Sequence, residues 1–205
     1  MLKYGAILAV LCFSASLVAA QEFPADVSVG AGPAISKSTE GNQTTQTVTK
    51  SGIGLGTIRL NLSKRNSVEF TYGRIRNTQE YFAAPTYLYR VQDTLTEYTG
   101  AYVFRPLKWH NFYPFVLAGG GVLRFYPDYN GTTINNIQTS VNAQTQTRPT
   151  FLYGGGFDYR ITRRWGFRLQ YRGFLYKVPD FKVDSLFTGA TGNLSAPSIG
   201  VVFRF

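Results

Sequence analysis

The side chains in this sequence that are best placed to do chemistry are charged residues at alternate positions of apolar, aromatic stretches. Asp158 and Arg168 show the pattern most clearly, since each lies five residues from Arg163 within the segment 151–174, FLYGGGFDYRITRRWGFRLQYRGF. A chain reversal centred on Arg163 places the two side chains opposite each other on neighbouring strands. Such a pair predicts an ion pair or a charged passage.

The sequence contains few of the residues that nucleophilic or metal-dependent catalysis requires. His110 is the sole histidine and Cys12 the sole cysteine. An activated hydroxyl usually needs a histidine base, and a metal site needs several His, Cys or carboxylate ligands. His110 lies beside Trp109 in a predicted short turn, where we interpret it as a solvated residue at an interface. The sequence therefore predicts no enzyme, no cofactor and no metal site.

Further charges fall on the same predicted inward face as Asp158. Four arginines and three carboxylates form this set: Arg59, Glu69, Glu97, Asp158, Arg168, Arg172 and Arg204. Arg105, Arg124 and Arg160 are candidates to join it. One interpretation is a gated pore that prefers anions. The other, which we favour, is a network of ion pairs that fills a narrow, closed interior.

The elements that position these charges are strands, because polar and apolar residues alternate with period two. The hairpin 151–174 pairs Tyr159 with Phe167 and Gly155 with Tyr171. The other predicted strands span 25–36, 51–62, 67–77, 92–105, 112–125 and 192–205. Strand 51–62 loses its phase at Ile53 and Leu55, which we attribute to a bulge. Strand 112–125 is predicted to face Tyr113, Phe115, Leu117, Leu123 and Phe125 outward and Val116, Ala118, Gly120 and Val122 inward.

Connections between the strands alternate between long and short. The long ones span 37–50, 78–91, 126–148 and 177–191, and the aromatic loop 78–91 and the Asn- and Thr-rich loop 126–148 are candidates for recognition. Phe, Tyr and Trp crowd one face of the strands, while glycine and charges occupy the other. This predicts an all-β fold, an eight-stranded antiparallel up-and-down transmembrane β-barrel. A soluble lipocalin-type carrier is an alternative, although in water the aromatic face would form exposed apolar patches.

The N-terminus predicts export. Lys3, an apolar run from Gly5 to Val18 and a small-residue end give a signal peptide over 1–20, followed by one barrel domain over 21–205. Its removal takes away Lys3 and Cys12, and leaves 20 basic and 11 acidic side chains, a formal charge of +9. These charges are scattered through strands and turns with no basic helix, so we expect no nucleic-acid partner.

The eight alternating strands, the segment 154–171 (GGGFDYRITRRWGFRLQY) and the ending VVFRF resemble the small outer-membrane β-barrel family, typified by the membrane domain of outer-membrane protein A. The resemblance implies a bacterial outer-membrane location and a lipid environment. The family includes structural, adhesive, pore-like and enzymatic barrels. Of these we expect a structural or surface-interaction role through external loops whose ligand is unknown, and we expect a monomer. The resemblance also implies that Val201, Phe203 and Phe205 form a C-terminal signal read by the barrel-insertion machinery.

Overall fold

The structure, a computed structural model, describes residues 24–83, 87–134, 137–139 and 143–205. The predicted signal peptide lies outside these residues. The described strands are β1 (Ala25–Ser36), β2 (Thr39–Gly41), β3 (Thr44–Val48), β4 (Ser51–Asn61), β5 (Asn66–Ala83), β6 (Tyr87–Phe104), β7 (Phe112–Ile134), β8 (Ile137–Thr139), β9 (Gln146–Arg160), β10 (Trp165–Lys177) and β11 (Thr191–Arg204). A 3-10 helix spans Asp184–Leu186. Among the described residues there is no helix long and apolar enough to cross a membrane.

Eight of these strands close into an antiparallel barrel, as predicted. Their order around the ring is β1, β4, β5, β6, β7, β9, β10 and β11, and β11 pairs with β1 to complete it. The other three strands are short additions at one end. β3 pairs with the end of β5, β2 pairs with β3, and β8 pairs with β7. Closure leaves the ring with no free edge, which a lipid environment requires.

The hairpin β9–β10 has the predicted register. Asp158 lies opposite Arg168, and Gly155 lies opposite Tyr171. Phe167, Leu169 and Tyr171 are exposed on the outer face, whereas Arg168 and Arg172 are buried inside. The sequence predicts which face of each strand is turned inward, because the two faces differ in polarity. A shift of one residue would place both arginines in lipid.

Strand β7 faces the opposite way from the prediction. Phe115, Leu117, Leu123 and Phe125 are buried in the lumen, while Val116 is 54% exposed on the outside. The prediction was wrong because both faces of this strand are apolar, so its own pattern carries no contrast. Pairing decides the phase instead. Leu123 lies opposite Glu97 of β6 and therefore shares its inward face.

Strand β4 keeps its phase throughout, and the predicted bulge at Ile53 and Leu55 is wrong. Both side chains are buried, and β4 pairs without interruption with β1 as far as Ser51 and with β5 as far as Ile53. The apparent loss of phase reflects a change in the lumen itself, which is charged near the short turns and apolar further along. A register shift does occur, but in β6, between Gln92 and Asp93.

Three of the predicted long loops are largely strand. β5 and β6 continue as a hairpin through most of 78–91, β7 to β9 occupy much of 126–148, and β2 and β3 lie within 37–50. These segments are rich in Thr, Tyr, Phe and Val, which favour strands. Paired strands also satisfy their backbone groups, so the sheet extends past the apolar band. Segment 178–190 keeps an irregular path around its 3-10 helix.

The two ends of the barrel differ. Three short turns, 62–65, 105–111 and 161–164, lie at the end that also holds the beginning of β1 and the end of β11. The extended hairpins and segment 178–190 lie at the other end. In outer-membrane barrels, short turns face the periplasm and long connections face the outside. We call the two ends periplasmic and external on that basis.

Candidate functional site

The periplasmic half of the lumen holds a cluster of buried ion pairs. Arg59, whose side chain is fully buried, donates to Glu69 Oε2 from Nε at 2.9 Å and from Nη2 at 2.6 Å. Its Nη1 donates to Asp158 Oδ2 at 3.0 Å. Arg168 donates to Asp158 Oδ1 from Nε at 2.7 Å, so Asp158 joins the two arginines. Opposite charges that share hydrogen bonds in this way offset part of the cost of removing them from water.

A second pair lies further along the lumen. Arg172 contacts Glu97 through Nη2 at 2.7 Å and Nη1 at 3.1 Å, and Nη2 also donates to Thr99 Oγ1 at 2.9 Å. Glu97 is on β6 and Arg172 on β10, which are not neighbours in the ring. The contact therefore crosses the interior.

The structure adds two members that the sequence did not single out as site residues. Asp26, at the start of β1, accepts a hydrogen bond from Arg168 Nη2 at 2.9 Å and lies 3.9 Å from Arg105 Nη2. Period two along β1 could have identified Asp26, because it shares the inward face with Ser28. Phe115 is the second addition, with its ring centroid 4.5 Å from the Arg59 guanidinium, a cation–π contact.

The remaining arginines that we predicted for the lumen lie in three different environments. Arg204 is buried in the lumen, but its Nη1 has no hydrogen-bond partner among the described residues. Arg160 lies at the rim over the ring of Tyr113. Arg124 does not belong to the lumen: it is exposed on the outer face and stacks on Tyr126 at 4.5 Å. Its outward position follows from the reversed phase of β7.

The external half of the lumen holds most of the buried apolar side chains, together with a hydrogen-bonded polar group of Gln46, Gln79 and Asp93. It is covered by segment 178–190, which we call the cap segment. Two side chains of the cap segment, Phe181 and Leu186, are fully buried. The Phe181 ring lies edge-to-face against Tyr81 and Phe125, with centroids 6.4 Å apart in each case. These side chains insert into the top of the barrel as a plug. We predicted only a loop over 177–191, although the apolar residues within its polar stretches were a signal.

Hydrogen bonds to the strands fix the cap segment in place. The Tyr81 hydroxyl donates to the Pro179 carbonyl at 2.8 Å. Gln146 Oε1 accepts from the backbone N–H groups of Asp180 and Phe181, at 3.0 and 3.1 Å. Arg148 Nη2 lies 3.3 Å from Asp180 Oδ1. The cap segment is thus held through its backbone at Pro179, Asp180 and Phe181, and through the carboxylate of Asp180.

Asp180 lies outside the membrane-spanning strands and has a shifted pKa. Partial burial alone would raise the pKa of its carboxyl group. Hydrogen bonds from the Lys182 N–H and the Gln146 side chain, together with the charge of Arg148, hold the pKa below its ordinary value instead. The carboxylate is therefore charged at neutral pH.

The space beside the ion pairs is small where the structure shows a cavity. A cavity bounded by Ser28, Thr57, Arg168 and Gln170 in the lumen has a volume of about 10 Å³, which accommodates about one water molecule. The ion pairs and the cap segment therefore fill the barrel at two levels. His110 lies far from both, exposed in the turn 105–111. No group of three or more metal-binding side chains occurs among the described residues.

Comparison with protein families identifies the chain. Residues 5–205 match the model of the outer membrane protein beta-barrel domain. The protein belongs to this outer-membrane β-barrel family. Its location is accordingly the bacterial outer membrane, and its outward aromatic face contacts lipid. Comparison with curated protein sequences gives no match.

Solved structures of outer-membrane barrels share the fold at low sequence identity. Neisserial surface protein A is 14% identical, with a TM-score of 0.55 over 89% of this chain and 97% of that chain. OprG from Pseudomonas aeruginosa is 15% identical, with a TM-score of 0.51 over 89% and 97%. The attachment invasion locus protein Ail of Yersinia pestis, in complex with the heparin analogue sucrose octasulfate, is 15% identical, with a TM-score of 0.51 over 88% and 99%.

Proposed function

We propose that this outer-membrane barrel is a monomeric, non-enzymatic scaffold that presents its external hairpins for binding at the cell surface. The observation that carries the proposal is the filled lumen. Buried ion pairs occupy the periplasmic half, and Phe181 and Leu186 occupy the external half. An interior packed in this way leaves recognition to the outside of the protein.

The length of the external hairpins supports the same function. Past Tyr72 and Tyr98, which face lipid opposite each other, β5 and β6 continue as a pair to Ala83 and Tyr87. Those ten or so residue pairs extend about 33 Å along the strand. Phe82 is half exposed near their tip. A rigid hairpin with an exposed aromatic residue is a suitable recognition element, and Ail, a barrel of this fold, is named for attachment.

The proposed function includes no catalytic activity. Hydrolysis or acyl transfer at the external end would need a general base there, and the sole histidine, His110, lies in a turn at the opposite end. In this proposal the predicted lumen charges form a structural network and have no transport role. They are Arg59, Glu69, Glu97, Asp158, Arg168, Arg172 and Arg204.

The proposal also includes two signals that direct the protein to the outer membrane. Residues 1–20 act as a cleaved signal peptide. Val201, Phe203 and Phe205 act as the signal for the insertion machinery, and their position supports this, because Val201 and Phe205 are exposed on the outer face next to Trp165 and Phe203. Such an outward aromatic strand is accessible before the barrel closes.

Conductance distinguishes the scaffold from a pore. The barrel, refolded and checked by the gel shift between boiled and unboiled samples, is added to a planar bilayer. We expect no discrete steps. Steps that favour anions would overturn the proposal and assign the arginines to a passage.

Shortening a hairpin tests the binding role. Bacteria that display the barrel are compared with bacteria in which residues 82–88 are replaced by Asn-Gly, which joins the paired Tyr81 and Tyr89 by a two-residue turn and keeps the contacts of Tyr81 with the cap segment. We expect weaker adhesion to arrays of immobilised glycans and matrix proteins at equal surface expression. Equal adhesion of both strains to every ligand, or none by either, would contradict a binding role for this hairpin.

A further inference from the structure

The three periplasmic turns carry a cluster of exposed cations. Five side chains form it, and we call them the rim cations: Lys64, Arg65, Lys108, Arg163 and Arg164. The turns, residues 62–65, 105–111 and 161–164, contain no Asp or Glu. None of the rim cations forms an ion pair with a carboxylate in the described parts of the chain. Their charge is therefore available to an external partner.

The turns form one continuous rim. The Arg105 N–H donates to the Arg65 carbonyl at 2.8 Å, which joins the first turn to the second. The Arg160 N–H donates to the Asn111 carbonyl at 2.9 Å and joins the second turn to the third. These backbone bonds hold the rim cations at the same end of the barrel, around most of its mouth.

Cations at the external end differ, because carboxylates are interspersed with them. Arg90 lies 3.6 Å from Glu80, and Arg148 lies 3.3 Å from Asp180. The rim cations have no such neighbours on their own turns. In the described part of the chain, the three periplasmic turns therefore carry side-chain charges of one sign.

Large apolar side chains are interleaved with the rim cations. Leu107, Trp109, Ile161 and Trp165 are all more than half exposed, and Trp109 is 67% exposed. These residues lie where the outward apolar face ends. Tryptophan prefers the head-group level of a bilayer, and Lys or Arg at that level reaches lipid phosphates. A peptide or a soluble polymer would not require apolar anchors at this height.

We propose that the periplasmic rim binds acidic phospholipids, with the rim cations on the head-group phosphates and the tryptophans at the interface of the leaflet that they face. The single sign of the charge and the adjacent apolar anchors together favour a lipid over a cell-wall polymer. The occupant is a phospholipid whose head group carries a net negative charge. The binding is a property of the rim and does not depend on what the external hairpins recognise.

The test measures the lipid selectivity of the refolded barrel. The protein is placed in phosphatidylcholine nanodiscs that contain either spin-labelled phosphatidylglycerol or spin-labelled phosphatidylcholine, and the motionally restricted fraction gives the relative association constant. Each cation at an anionic head group contributes about fivefold in affinity. We expect at least about fivefold selectivity for phosphatidylglycerol at low salt and a large reduction in 1 M NaCl, where screening acts within about 3 Å.

Two variants separate the rim from the rest of the surface. Arg163→Gln with Arg164→Gln removes two rim cations in an exposed turn, and we expect most of the selectivity for phosphatidylglycerol to be lost. Lys37→Gln with Lys177→Gln removes two exposed cations at the external end and serves as the matched control, for which we expect a smaller loss. The gel shift confirms that each barrel has folded.

Three outcomes would overturn the inference. The first is equal association of the two lipids with the unmodified barrel, which does not depend on any variant. The second is an equal loss of selectivity in the rim and control variants. The third is co-sedimentation of the nanodisc-embedded barrel with purified cell-wall sacculi without lipid selectivity, which would assign the rim cations to an anionic polymer.

Discussion

Replacement of Asp158 by alanine tests whether the buried ion pairs hold the barrel together. Asp158 accepts hydrogen bonds from Arg168 at 2.7 and 3.2 Å and from Arg59 at 3.0 Å. Without it, both guanidinium groups remain buried with one carboxylate fewer. Removing one partner of a buried ion pair costs about 3–5 kcal/mol. Because Arg59 keeps Glu69 and Arg168 keeps Asp26, we expect about 3 kcal/mol, the lower end of that range.

The measurement is the free energy of unfolding of the refolded barrel in guanidinium chloride, followed by tryptophan fluorescence. Glu80→Ala is the matched control, since Glu80 pairs with Arg90 at 3.6 Å with half of the Arg90 side chain exposed. An exposed pair contributes at most about 1 kcal/mol. Equal losses in the two variants would refute the reasoning, because burial would then add nothing to the value of the pair.

Three other predictions test the packing, the cap segment and the insertion signal. Gly156→Ala places a methyl group against the backbone carbonyl of the neighbouring strand at Leu169, and should cost about 1–3 kcal/mol in unfolding free energy, whereas Gly54→Ala, with nothing within 4 Å, should cost little. The lowered pKa of Asp180 means that its contribution is complete above the unfolded pKa of about 3.9 and is lost as pH falls through the folded pKa. A nitroxide at Lys182→Cys should therefore become more mobile in acid, and Asp180→Asn should make it mobile at both pH values. Phe205→Ala should lower the amount of folded barrel in the outer membrane at equal synthesis, while a normal level would count against the C-terminal signal.

The sequence was informative wherever the two faces of a strand differ in polarity. In β9 and β10, charges or glycine on one side and rings on the other fix phase, pairing and register, and Asp158 with Arg168 follows from them. In β7 both faces are apolar, so the phase depends on neighbours that no single strand reveals. The error at Phe115 and Leu123 has this cause, and so does the misplaced Arg124.

The external half of the lumen escaped prediction for a different reason. Ile53 and Leu55 share the predicted inward face with Thr57 and Arg59, and because they are apolar we interpreted them as an irregularity. The cap segment adds Phe181 and Leu186, from far along the chain, to the same buried hydrophobic cluster. Such long-range covering leaves only a weak local trace, an apolar residue in a loop, and that trace is common in loops that cover nothing.

The pattern of ion pairs bears on how the barrel closes. Arg59 with Glu69 joins neighbouring strands and needs only the β4–β5 hairpin. Arg59 with Asp158 joins β4 to β9, and Arg172 with Glu97 joins β10 to β6, and neither pair of strands is adjacent in the ring. An open sheet would leave these arginines in an incomplete interior without their distant carboxylates, at the cost of unpaired buried charge. Only the closed ring of eight satisfies them together, so the charges in the lumen favour closure over any open or partly paired arrangement of the same strands.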